Sequence, residues 1–185
     1  MTRQKIKDVA IVLFNQNGFG GASMRDIAHK AGIEAASIYN HFTSKQDLLH
    51  AICSETLKSL TQSIQEAVNS QKTAVAQIEA YIDQFAKFQS ENSSSVQACF
   101  TESRHLEGNL DKSFKKQMKV QEDLLAELLR KGVSSKKLVN YNSEVACTLI
   151  VSALRGKIQS GRGTKYSSDQ IKAMTRMIMD GLLKR

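Results

Sequence analysis

Apolar residues recur at the helical period along nearly the whole chain, and that periodicity restricts the fold more than any other feature. In the first segment Ile6, Val9, Ala10, Leu13 and Phe14 occupy positions i, i+3, i+4, i+7 and i+8, the spacing of one helix face. "NQNGFGG" stops this helix, with Gly18 in its C-cap region. "ASMRDIAHKAG" starts another, with Ser23 placed to cap it, Asp26 to answer as the capping-box acid, and Ile27, Ala28 and Ala31 on its inner face. A short helix is expected from about Glu34 to His41. Longer ones follow over 44–69, 72–91, 94–106, 109–132, 142–159 and 167–184. The breaks between them, such as "NSQK", "ENSSS", "GVSSKKLVN" and "SGRGTKYSS", are short and rich in Gly, Ser, Asn or Lys. No stretch alternates as a strand does over a useful length. The expected fold is therefore all-α: a three-helix head over 1–48, and a larger helical bundle over 49–185. About nine helices are expected in all.

Composition narrows the function classes. The 41% apolar content suits a packed core. The longest apolar runs, such as "CTLIVSAL" at 147–154, fall far short of the roughly 18–20 residues that a membrane span requires. The opening "MTRQKIKDVA" lacks the apolar stretch of a secretory signal. Cys53, Cys99 and Cys147 are odd in number, widely spaced and set among apolar residues, as buried thiols of a reducing compartment are. A cytoplasmic location is expected, with no membrane partner. His29, His50 and His105 share no metal-ligand spacing, so neither a metal nor another cofactor is expected. Net charge is +8, which favours a polyanionic partner. The excess is spread, with +2 over residues 1–50 and +6 over the remainder, so charge alone does not locate a nucleic-acid surface.

The arrangement of residues does. Two short helices joined through "KAGI" form a helix-turn-helix candidate, with the glycine at the tight turn and Ile33 tucked beneath it. In such units the second helix enters the major groove. Over 34–41, Ile38 is expected to face inward, and Phe42 to lock the exit. Ala35, Ala36, Ser37, Tyr39, Asn40 and His41 then project outward. Small residues at one end let the backbone approach the bases, while a hydroxyl and an amide offer hydrogen bonds to base edges or phosphates.

The string "FGGASMRDIAHKA" followed by "GIEAASIYNHFTSKQDLL" resembles the DNA-binding head of the TetR family of bacterial transcriptional regulators, over about Lys5 to Ile52. The resemblance implies roles by position. Ser23 is implied as a phosphate contact, and Arg25 as a residue reaching a base edge or phosphate. Ala35, Ala36 and Ser37 take base-facing positions. Tyr39 takes the place of a phosphate-binding tyrosine, with Asn40 and His41 beside it, and Lys45 that of a phosphate-binding lysine in the first turn of the next helix. Glu34 and Ala36 depart from residues common in the family, so the operator sequence does not transfer.

The same resemblance implies a small-molecule pocket among the middle helices and pairing of two chains through the last two. Tyr81, Phe85, Phe88, Phe100 and Met118 are the candidate apolar lining, and Glu102 and His105 the candidate polar groups. In "SEVACTLIVSALRGKI" small residues allow close helix approach, and the last helix carries a broad apolar stripe. Leu149, Ser152, Ala153, Gly156, Ile171, Met174, Ile178 and Leu182 are the candidate interface. The implied function is a ligand-responsive repressor that binds a near-palindromic duplex operator as a homodimer and is released by a small-molecule inducer. The alternative is a DNA-binding regulator without such an effector, controlled by a protein partner or constitutive. An enzyme, for instance a thiol hydrolase using Cys99 with His105, is not expected: six residues apart is a poor fit to one helix face, and no activating acid or oxyanion loop is evident.

Overall fold

The computed structural model describes residues 3–159 and 165–183. The 160–164 part of the expected connection, and Lys184 of the expected last helix, lie outside the described residues. Among the described residues are eight α-helices: α1 (Arg3–Gly21), α2 (Met24–Ala31), α3 (Lys45–Asn69), α4 (Ala74–Glu91), α5 (Ser93–Glu102), α6 (Gly108–Ser134), α7 (Ser143–Gln159) and α8 (Ser168–Leu182). Two 3-10 turns, Ser37–Asn40 and Ser103–His105, complete them. No helix among the described residues is long and apolar enough to cross a membrane. The fold is all-α, as the periodicity requires.

The chain divides into two compact units. One holds the residues up to Leu57 together with Ser94–Lys116; the other holds Lys58–Ser93 and the residues from Gln117 onward. The expected boundary at 48/49 falls within α3, which runs unbroken from Lys45 to Asn69.

In the first unit α1 buries Ile6, Ala10, Leu13 and Phe14 along the stripe read from the sequence. Gly18 interrupts it at φ 70°, ψ 168°, a backbone state that excludes most residues, and a further turn carries the chain to Gly21. α2 packs on α1 through Met24, Ile27, Ala28 and Ala31. The Ser23–Asp26 capping box closes its start, and Gly32, left-handed at φ 74°, closes its end by donating to the Ala28 and His29 carbonyls. The expected helix over 34–41 is instead a 3-10 turn, with Ser37 N–H donating to Glu34 O at 2.9 Å and His41 N–H to Ile38 O at 3.0 Å. Few residues separate the Gly32 turn from the start of α3, and so short a segment closes with i to i+3 bonds more readily than as a sustained α-helix. Ser44 caps α3 by accepting from Asp47 N–H at 3.0 Å, while the Asp47 carboxylate accepts from Thr43 N–H at 3.0 Å. A Lys7–Glu55 ion pair joins α1 to α3. α5 is tied to the same unit where Asn15 Nδ2 donates to Ser94 O at 2.9 Å.

In the second unit α4 packs against α7 and α8. Tyr81, Phe85 and Ala86 are fully buried there, and Gln89 Nε2 donates to Leu154 O at 2.9 Å. Thr175 of α8 donates to Asp83 of α4. A Ser167–Gln170 capping box starts α8, and Val139 N–H donates to Leu182 O at 2.9 Å near its end. The three cysteines are buried free thiols, and burial pushes the Cys147 thiol up to about 11.

Candidate functional site

The 3-10 turn Ser37–Asn40 separates its two faces sharply. Ile38 is fully buried and Phe42 follows it into the core. Ala35, Ala36, Tyr39 and Asn40 are exposed, and Ser37 and His41 are half-buried. One large apolar side chain therefore anchors the turn while small and polar groups face solvent. The Arg3 guanidinium lies 4.3 Å from the centre of the Phe42 ring, a cation–π contact across 39 positions that no local sequence signal announced.

Ser23 caps α2 and Arg25 stands in its first turn, both exposed. The Ser23 hydroxyl is engaged locally: it accepts from Asp26 N–H at 3.1 Å and donates to Asp26 Oδ2 at 2.6 Å. Those bonds, with the Ser23 amide donating to the same carboxylate, hold Asp26 below its usual carboxylate range.

Lys45 is half-buried in the first turn of α3. Its ammonium donates to Phe19 O at 2.6 Å and to Ala22 O at 2.8 Å, and it sits 4.3 Å from the centre of the Phe19 ring. These bonds tether Lys45 to the residue just before Ser23, so two expected phosphate contacts from different helices are drawn together. An ammonium has three donors, and two are committed here. Phe19 itself carried no assigned role in the sequence. Its only sequence signal was its place after the glycine of "NGF".

The seven candidate pocket residues are divided between the two units. Tyr81, Phe85 and Phe88 are buried and Met118 half-buried in the second. The Tyr81 hydroxyl donates to Gln121 O at 3.2 Å, and burial pushes its pKa up. Phe100, Glu102 and His105 belong to the first unit, where Glu102 and His105 meet Phe19. Among the described residues no three His, Cys, Asp or Glu side chains converge as a metal site would need.

Of the interface candidates in the second unit, Leu149 is 66% exposed. Ser152, Ala153 and Gly156 are exposed, Ile171, Met174 and Ile178 half-buried, and Leu182 buried. Val145 of α7, and Met177 in the apolar stripe expected of the last helix, are also exposed. A groove of about 500 Å³ between α7 and α8 is lined by Val145, Leu149, Ile150, Ala153, Ile178 and Leu182, among others.

Two family models match the chain. One, described as bacterial regulatory proteins, tetR family, covers residues 6–52; the other, described as tetracyclin repressor-like, C-terminal domain, covers residues 71–182. The transcriptional repressor KstR2 of Rhodococcus jostii is 32% identical over 107 residues, 58% of this chain and 52% of that protein. The matches span from about a quarter to about half the length of the curated relatives. The structure of the ketosteroid regulator KstR2 of Mycobacterium tuberculosis superposes with TM-score 0.86 at 17% identity, covering 99% of this chain and 95% of that one. A structure of AibR in complex with isovaleryl coenzyme A and operator DNA gives TM-score 0.82 at 18% identity, with 95% of each chain covered. At such identities the likeness speaks for the fold.

Proposed function

The chain belongs to the TetR family of bacterial regulatory proteins, and from that membership we propose that it is a transcriptional repressor that binds a near-palindromic operator as a homodimer and is released by a small-molecule inducer. The observation that carries the reading is the split character of Ser37–Asn40. Ile38 holds the turn to the core, and Ala35, Ala36, Tyr39 and Asn40 are left exposed. Small side chains allow close backbone approach to base edges, with a thymine methyl as a fitting neighbour for alanine. Phosphate contacts from Ser23, Tyr39, His41 and Lys45 supply affinity and register, and Arg25 with Ser37 and Asn40 supplies selection.

Pairing through α7 and α8 is supported by their apolar, partly exposed groove. Two-fold symmetry then presents two heads about one helical repeat of DNA, about 34–36 Å, apart. An inducer releases the operator by favouring the body shape with the wrong head separation, and it shifts that balance only by its preference between the two states. Tyr81, Phe85, Phe88 and Met118, all in the second unit, are the proposed apolar lining of the inducer site. KstR2 of Rhodococcus jostii is named a repressor, and AibR holds both an acyl-coenzyme A and its operator on this fold. The first supports repression, and the second a small-molecule ligand beside operator DNA. The chemistry is binding throughout, with no catalytic step.

Selection of bound duplexes from random-sequence DNA tests the reading. A two-fold symmetric consensus is expected, and a screen of small molecules against that complex should yield one that dissociates it. A purified dimer that enriches no sequence at low salt refutes the reading.

A further inference from the structure

The end of α1 beyond Gly18, and the step from it into α2, are gripped from three directions by groups far away in sequence. With Gly18 at φ 70°, ψ 168°, the chain leaves its helical path, and the Phe19 N–H donates to Glu102 Oε2 at 3.0 Å. The Phe19 ring stacks on the His105 imidazole, with centroids 5.0 Å apart and planes 15° from parallel. The Lys45 ammonium meets the same ring, and also takes the carbonyls of Phe19 and Ala22. Glu102 is buried, with Thr101 Oγ1 donating to its other oxygen at 3.2 Å and His105 Nε2 lying 3.6 Å from Oε2. A carboxylate removed from water is costly unless its oxygens are bonded, so its use on one backbone amide makes that bond strong and specific.

We propose that Glu102 and His105 are positioning residues for DNA binding: through Phe19 they set the segment from which Ser23 and Arg25 enter α2 and on which Lys45 rests. The inference rests on the DNA-binding reading above. The contacts form one continuous chain inside one unit, from Glu102 to the Phe19 amide, from the Phe19 and Ala22 carbonyls to Lys45, and from Lys45 by its remaining donor to a phosphate. If the Phe19 amide loses its acceptor, the two carbonyls drift and the ammonium drifts with them. Neither Glu102 nor His105 touches the duplex, yet both act on it.

The test uses full-length protein and a duplex that the parent has selected from random DNA, titrated over a salt series. Glu102→Leu removes the acceptor. It should bind about tenfold more weakly, the worth of one charge-assisted hydrogen bond, with a salt slope shallower by about one per protomer as a phosphate contact is lost. Glu102→Gln keeps a carbonyl acceptor for the Phe19 amide and should restore most of the binding. Because part of the Glu102 effect runs through Lys45, Glu102→Leu combined with Lys45→Ala should lose less binding than the product of the two single losses. A folded Glu102→Leu dimer with parental affinity and slope overturns the proposal, as does a double variant whose loss is the product of the two single losses. If Glu102→Leu does not fold, His105→Ala takes its place, with weaker binding expected and parental binding overturning. Hydrogen exchange at the Phe19 amide gives a readout independent of DNA. It should quicken in the Glu102 variant or, in its place, the His105 variant, and a parental rate overturns the proposal even where failure of the parent to select any duplex has refuted the DNA-binding reading.

Discussion

Ile38 and Tyr39 are consecutive in the chain and opposite in exposure: Ile38 is fully buried, Tyr39 52% exposed. One peptide unit thus separates a residue that holds the recognition turn from one that is offered to a partner. Ile38→Ala should destabilise the protein by about 2–5 kcal/mol, the range for truncating a buried aliphatic side chain. Tyr39→Ala should leave the melting temperature nearly unchanged and weaken binding to every duplex alike. Denaturant melts and a binding titration on both variants read this directly. A Tyr39→Ala protein that binds like the parent would show that the ring does not meet the backbone of DNA.

Arg25 and Lys45 should separate selection from affinity. Arg25 is exposed in the first turn of α2, free of the carbonyl tethers that hold Lys45. Arg25→Ala should cost about 1–3 kcal/mol on the preferred operator and relax the preference at one position of each half-site. Lys45→Ala should weaken all sequences and lower the salt slope by about one per protomer. Comparing preferred and scrambled duplexes across ionic strength distinguishes the two. Equal loss on both duplexes for Arg25→Ala would assign it to phosphate.

Leu149 is 66% exposed on the face of α7 that borders the apolar groove. A glutamate there would have to be desolvated on pairing, which an apolar interface does not compensate. Leu149→Glu should sediment as a monomer with parental helicity, and operator binding should fall steeply because a single head engages one half-site. Retention of the dimer would place the interface on another face.

The start of α2 should respond to acid. The Ser23 hydroxyl, and after it the Ser23 amide, lower the Asp26 pKa from its ordinary value of 3.8 by bonding to the ionised form. A carboxyl depressed on folding contributes stability that is present above that ordinary value and is lost as pH falls through the folded value. The melting-temperature gap between the parent and Asp26→Asn should therefore be constant from neutral pH down to about 4 and close below it. A gap that does not narrow at all as the pH falls below 3.8 would mean that the capping box does not depend on the charge.

Helix content, helix order and the head's motif were legible in the sequence, because they depend on neighbours within a few positions. Ile6 to Phe14 had to form one face of a helix. Ser23 and Asp26 form their capping box across one turn, and Gly32 takes the left-handed state that ends α2. Ile38 could be assigned inward and Tyr39 outward because both sit in a short turn bounded by that glycine and by buried Phe42. The 3-10 geometry of that turn was not legible, since an α-turn and a 3-10 turn draw on the same residues.

What remained depended on pairs distant in the chain. Nothing near Phe19 indicates that its amide would meet Glu102, or that its ring would lie between Lys45 and His105. Nothing near residue 94 indicates that Ser94–Lys116 would join the unit of the head. Periodicity records which face of a helix is apolar, and it does not record which other face will cover it. Local hydrogen bonding and side-chain spacing therefore determined the elements and the exposed recognition turn from the sequence alone. The grip on the end of α1 was decided only by tertiary packing, because it joins donors and acceptors that no local rule brings together.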